Sequence, residues 1–263
     1  MPYKNAGFDA SAIFHFFFVA ICATAMCLQT HLLLGQKILF DSAYIFVFGC
    51  TVFVYNYQNK HAPLRVFAYI MGILAGFVML WMPRNVAYQF LVFSIIGACY
   101  FFLPASYSLR SKTFLKPFVI SWVWVFMCVK LPTEYINCPD FICFSERVSL
   151  IGLEKLFFIA STALGYDMLD VGIDTKLNLV TMPVRFGVQT SKRACYVLLL
   201  CSFWVASYSF WCGYYTQNQL LAIACSLIIA VAVILLLGQK ALIGKHWIDA
   251  SLLIQSFFVF VAS

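Results

Sequence analysis

The run Leu164-Gly-Tyr-Asp-Met-Leu-Asp-Val-Gly-Ile-Asp-Thr-Lys176, followed by Thr181-Met-Pro-Val-Arg-Phe-Gly187, decides how this chain is read. It carries Asp167, Asp170 and Asp174, three of the ten acidic residues in a sequence of 263. On one α-helix, offsets of three and seven bring these carboxylates within about 60° of each other. Like charges on one face repel, and beside a bilayer they are costly to desolvate. They call for a compensating cation. A hard divalent ion such as Mg²⁺, which takes carboxylate oxygens and commonly bridges to phosphate, is the simplest candidate. A solvated acidic loop between two membrane helices is the plainer alternative, but functional intramembrane acids favour such clustering at a helix end.

Around this stretch the chain is mostly hydrocarbon. It is 63% hydrophobic and 10% charged, with a mean hydropathy of +0.91. Soluble domains carry about 25% charged residues, so a soluble class is excluded. Strand-period alternation is missing, which excludes an outer-membrane barrel. The expected fold is all-α: a polytopic membrane bundle of about nine transmembrane helices, with residues 1–263 forming a single domain. The spans are expected near Ser11–Leu34, Asp41–Tyr57, Leu64–Trp81, Val86–Leu103, Leu115–Leu131, Ser149–Tyr166, Ala194–Cys212, Gln219–Leu237 and His246–Ser263. Every proline falls at a span end or in a loop, where a missing N–H costs little. No cleavable signal peptide is legible, so the first span is expected to serve as its own insertion signal. Most of the cysteines, from Cys22 to Cys225, sit in apolar runs and read as small buried hydrophobes. Cys138 and Cys143 share a polar loop, where a local disulfide is open if that loop faces an oxidising compartment.

Charge divides unequally between the two sides. The side holding the N-terminus and the aspartate cluster carries 12 basic and 5 acidic residues, whereas the other carries 5 of each. The positive-inside rule then places the protein in the cell (inner) membrane with its N-terminus and Asp-rich loop cytoplasmic. A face with many cations around one acidic cluster suits a polyanionic small ligand held partly through metal. Nucleic acid is not an expected partner. A transporter is a further reading, because intramembrane acids mark ion paths, but the acids lie near a span end and no inverted repeat or broken helix pair is visible. His61 and His246 are lone histidines near interfaces and read weakly as catalytic bases.

Tyr166-Asp-Met-Leu-Asp-Val-Gly-Ile-Asp-Thr-Lys176, then Thr181-x-Pro183 and Gly187, resembles the second aspartate-rich motif of UbiA-type intramembrane prenyltransferases. Tyr107 to Lys116, leading into Trp122, is similar to that family's segment between spans four and five, and Asp249 stands where the family often has an acid. The resemblance implies a membrane-embedded prenyltransferase. It would transfer an isoprenyl group from a prenyl diphosphate to a lipophilic or aromatic acceptor, with Mg²⁺ assisting ionisation and membrane lipids surrounding the site. It further implies Asp167, Asp170 and Asp174 as catalytic and metal-ligating acids. Asn56, Lys60, Arg110, Lys112, Lys116, Lys176 and Arg185 are the implied diphosphate-side residues. The physics agrees with this: cations stabilise a leaving group as charge develops on it, and apolar walls keep water from a carbocation.

The family's first motif is incomplete. Its pattern is Asn-x-x-x-Asp-x-x-x-Asp; Asn56 matches, but Lys60 and Leu64 stand where the acids belong. Two readings follow. In one, Asn56 and Asn59 offer carbonyl oxygens in place of the missing carboxylates, and Lys60 or Arg65 binds the diphosphate directly as a cation. Alternatively, the chain is a non-catalytic protein of this fold that acts as a partner or lipid-binding subunit.

Overall fold

Hydrocarbon runs satisfy their backbone in lipid by closing every hydrogen bond within a helix, and helices are what the chain forms. The computed structural model describes residues 10–36, 42–57, 61–82, 84, 88, 90, 95, 113, 115–133, 145–237 and 241–263. In chain order these residues give α1 (Ala10–Leu33), α2 (Ser42–Asn56), α3 (Ala62–Leu80) and α4 (Leu115–Val125), which runs into a π-helical segment, Phe126–Lys130. Then come α5 (Glu146–Leu169), α6 (Val171–Lys176), α7 (Met182–Phe186), α8 (Val188–Trp211), α9 (Gln217–Leu236) and α10 (Ala241–Ala262). No strand occurs among the described residues. Among the described residues, five stretches are long and apolar enough to cross a bilayer: Ala62–Leu80, Leu115–Thr133, Glu146–Leu169, Val188–Trp211 and Gln217–Leu236. The chain is a multi-pass helical membrane protein.

Each expected span that the described residues cover has a helix at its place. Val86–Leu103 lies outside the described residues apart from isolated positions, as do Cys138 and Cys143 entirely. Helix starts differ from the expectation where caps decide them. The Ser145 hydroxyl accepts from Val148 N at 3.3 Å, so α5 begins at Glu146 rather than near Ser149. Thr216 and Gln219 form a reciprocal capping box at the start of α9. Gly187 has φ +85° and ψ 158°, a conformation open to glycine, which lets α8 start immediately at Val188. Lys192 and Arg193 therefore lie inside α8, and Lys192 Nζ caps the end of α9 by donating to Leu235 O (3.2 Å) and Leu237 O (2.9 Å).

α5 is the central element, packed against α4, α8 and α10, while α1 packs against α2, α10 and the π-helical segment. A π turn displaces carbonyls from the regular ladder. Here α1 meets them: Thr30 Oγ1 donates to Cys128 O at 2.8 Å and Cys27 Sγ to Met127 O at 3.5 Å. α2 and α3 approach closely at Gly49, where a Cβ would stand 2.9 Å from Met71 O. At the end of the bundle away from the aspartates, Arg147 donates to Leu33 O and to Tyr214 O (3.0 Å), tying α1 and α5 to the α8–α9 turn. Two sequence expectations are corrected. Cys225 is exposed rather than buried. Glu154 and Lys155, which belong to the five acidic and five basic residues counted on the charge-balanced side, are both fully buried within α5. Removing them leaves that side still balanced, so the charge bias stands.

Candidate functional site

The aspartate stretch does not form one continuous helix. Asp167 sits in the last turn of α5, and the chain breaks at Asp170, which ends α5 and begins α6. The break is hydrogen-bonded on both sides: Asp170 N donates to Tyr166 O (3.0 Å), and Asp174 N donates to Asp170 O (2.8 Å). α6 is six residues long and its buried residue is Asp174, 1% exposed. A helix that turns a carboxylate inward is expensive unless a cation meets it. Asn178, at φ +53°, then reverses the chain, with Leu179 N donating to Asp174 O at 2.9 Å. Thr181 and Pro183 open α7, the proline fitting the first turn where its missing N–H costs nothing. The Thr-x-Pro…Gly spacing thus encodes a short helix with a defined start and a glycine exit.

The cation is Lys116, from the first turn of α4. Its Nζ lies 2.5 Å from Asp167 Oδ1 and 3.5 Å from Asp174 Oδ2, and all three side chains are nearly fully buried. Asp170 turns elsewhere: Lys245 Nζ, from α10, reaches its Oδ1 at 2.7 Å in a partly exposed pair. The three acids expected on one face are therefore split, two sharing one lysine and the third holding another. The α10 end is fastened further by the Tyr166 hydroxyl, which donates to Lys245 O at 3.3 Å. Eight residues along α4 from Lys116, Trp124 Nε1 donates to Tyr55 Oη at 3.3 Å, bridging α4 to α2.

The diphosphate-side candidates divide similarly. Asn56 is buried at the end of α2 and donates to Val52 O at 2.9 Å. Lys176 is exposed at the end of α6, and Arg185 is exposed with its guanidinium over the Phe186 ring at 5.2 Å. Lys60, Arg110 and Lys112 lie outside the described residues. Leu64, where the resemblance places an acid, packs against an apolar cluster that includes Val52 and Ala68. The sequence reading did not single out Lys245; its spacing of four from Asp249 on one helix was the available signal.

Two buried oxygens test the fit of a metal. Asp167 Oδ2 and Asp174 Oδ1 have no hydrogen-bond partner among the described residues. Two carboxylates and one ammonium leave a formal charge of −1, and Mg²⁺ is commonly held by one or two carboxylates with the remaining positions on water and phosphate. These atoms fit that donor chemistry. No group of three or more His, Cys, Asp or Glu converges as a metal site among the described residues. The protein would thus contribute two carboxylates rather than a complete cage.

The chain is similar to the solved structure of a digeranylgeranylglyceryl phosphate synthase in membranes, a UbiA-type intramembrane prenyltransferase. The TM-score is 0.59 over 96% of this chain and 94% of that chain, at 14% sequence identity. The protein therefore shares the all-α membrane fold of that structure. No family model and no curated protein matches the sequence.

Proposed function

We propose that the protein is a single-domain, membrane-embedded prenyltransferase. It would transfer an isoprenyl group from a prenyl diphosphate to a lipophilic or aromatic acceptor at the end of the bundle where Asp167 and Asp174 meet Lys116. The observation that carries this reading is the pair of buried, unsatisfied carboxylate oxygens at that meeting point, within a fold shared with a prenyltransferase. Mg²⁺, bound at Asp167 and Asp174 with Asp170 as a further candidate, would supply positive charge to the diphosphate leaving group. Lys116 is placed to move between its two carboxylates and an entering phosphate oxygen, as a compact charge on a flexible stem. Lys245 holds Asp170 and keeps the start of α10 against the site. Tyr55 and Trp124 provide aromatic wall, which excludes water and offers ring faces to a developing cation. Lys60, Arg110 and Lys112, with exposed Lys176 and Arg185, are proposed to gather the anionic substrate at a cytoplasmic face of the cell membrane.

A second reading is favoured by a specific observation. The first motif lacks its acids, and in the second all three aspartates already hold lysines. A protein that keeps the fold without the reaction, as a partner or lipid-binding subunit, accounts for both. Turnover separates the two. Purified protein in lipid nanodiscs, given radiolabelled geranyl, farnesyl and geranylgeranyl diphosphates with a membrane lipid extract as acceptor source, should release diphosphate and label the lipid fraction in Mg²⁺ and stop in EDTA. Absence of labelled lipid with every donor supports the non-catalytic reading instead.

A further inference from the structure

Far from the aspartates, α5 carries a second polar group that the proposed reaction leaves unused. Glu154 and Lys155 are adjacent and fully buried. Glu154 lies eight residues into α5, about 12 Å along its axis, and thirteen residues, about 20 Å, from Asp167. α10 bridges the two: Lys155 Nζ donates to Gln255 Oε1 at 3.1 Å, and Gln255 Nε2 donates to Glu154 Oε1 at 2.9 Å. From α8, Ser202 Oγ donates to the same Glu154 Oε1 at 3.2 Å. Gln255 and Ser202 are themselves fully buried.

The ring is incomplete in one place. Glu154 Oε2 has no hydrogen-bond partner among the described residues and stands 3.7 Å from Lys155 Nζ. That separation is too long for a direct bond, yet one oxygen about 2.8 Å from each atom spans it. Lys155 has three N–H donors, and Gln255 accepts from it. A network serving only to hold three helices in register would close on itself, because a buried acceptor left unmade forfeits its desolvation. What remains is one acceptor oxygen facing an ammonium with two N–H groups still to place, and a group that both donates and accepts through a single oxygen complements the oxygen and one of them.

We propose that Glu154 Oε2 and Lys155 Nζ form a binding site for one hydroxyl group, supplied by an ordered water or by the alcohol end of an apolar molecule entering from the bilayer. A hydroxyl donates its proton to the carboxylate and accepts one from the ammonium. A phosphate or carboxylate is disfavoured, because Glu154 repels it. The site stands independently of the prenyltransferase reading.

The test is solid-state NMR of the full chain in liposomes, labelled with carbon-13 at the backbone carbonyls of glutamate and uniformly with carbon-13 and nitrogen-15 at lysine. Glu154–Lys155 is the single Glu-Lys pair in the sequence, so the shared peptide bond selects Lys155 and its own carbons carry the selection out to Nζ. In one arm, polarisation from water is followed to Lys155 Nζ. In the other, 1-dodecanol carrying carbon-13 at C1 is added and contacts from that carbon are sought. Transfer from water assigns the site to water, and transfer from C1 assigns it to an alcohol; a Lys155 Nζ reached by neither overturns the proposal. Glu154→Met, with the carbon-13 moved to the methionine carbonyls because the sequence has no other Met-Lys pair, should abolish the contact, and Ser202→Ala should keep it; a contact that survives Glu154→Met overturns the proposal. The wild-type measurement needs no substitution and stands even if a variant fails to fold.

Discussion

Lys116 Nζ stands 2.5 Å from Asp167 Oδ1, linking the first turn of α4 to the last turn of α5 with both side chains almost wholly out of solvent. The same ammonium reaches Asp174, so one cation holds two acids separated by the break at Asp170. Removing one partner of a buried ion pair leaves an uncompensated charge, and costs about 3–5 kcal/mol. Lys116→Met should therefore lower the detergent melting temperature markedly. Millimolar Mg²⁺ should restore more of it than it adds to the wild type, because the two carboxylates have lost their competing cation. A variant that melts with wild-type behaviour and ignores Mg²⁺ contradicts the arrangement.

Lys245 and Asp170 should behave differently. Their pair is about a quarter exposed, at 27% for each side chain, so solvent screens it. A double-mutant cycle with Lys245→Met and Asp170→Asn is expected to give a coupling of about 1 kcal/mol or less. A coupling as large as that of Lys116 with Asp167 would mean that the α10 clamp, rather than Lys116, dominates the site.

Much of the fold was legible because hydrocarbon runs cut by prolines and loops leave little choice of architecture. Helix starts were less legible: Gly187 and Ser145 move α8 and α5 earlier through cap geometry that an apolar count does not see. The site was half legible. The spacing of Asp167, Asp170 and Asp174 announced a cluster, but a periodicity argument assumes an unbroken helix, and Asp170 breaks it. Nothing local links Lys116 to Asp174, which is 58 residues away in sequence. Glu154 and Lys155 were counted as charges of one side because a sequence does not show which charged residues a bundle swallows.

The first motif allows a prediction against simple repair. Leu64 packs with Val52 and Ala68, so Leu64→Asp should destabilise the protein by about 1–3 kcal/mol by burying an unpaired polar group, rather than restoring a metal ligand. Lys60→Ala should weaken prenyl diphosphate binding roughly ten- to a hundredfold, the loss expected of one charge-assisted contact. Melting curves and equilibrium binding check the two separately, and a stable Leu64→Asp protein with improved Mg²⁺ dependence contradicts the first.

Orientation is open to direct labelling. On a background freed of the eleven native cysteines, Val180→Cys in the α6–α7 turn should react with an impermeant maleimide only from the cytoplasmic side. Asn218→Cys, in the first turn of α9, should react only from outside. The opposite pattern inverts the proposed topology and separates the acidic site from a cytoplasmic substrate pool.

The central claim is that Asp167 and Asp174 take a prenyl diphosphate together with Mg²⁺. Equilibrium binding of radiolabelled farnesyl diphosphate to the protein in nanodiscs, with Mg²⁺ and with EDTA, for wild type and Asp174→Asn, tests it most directly. The account predicts saturable binding that needs Mg²⁺ and weakens about tenfold or more in Asp174→Asn, in a variant that melts no lower than wild type because it removes one of two like charges. Binding that is unchanged by EDTA and by Asp174→Asn, or absent from the wild type, contradicts it.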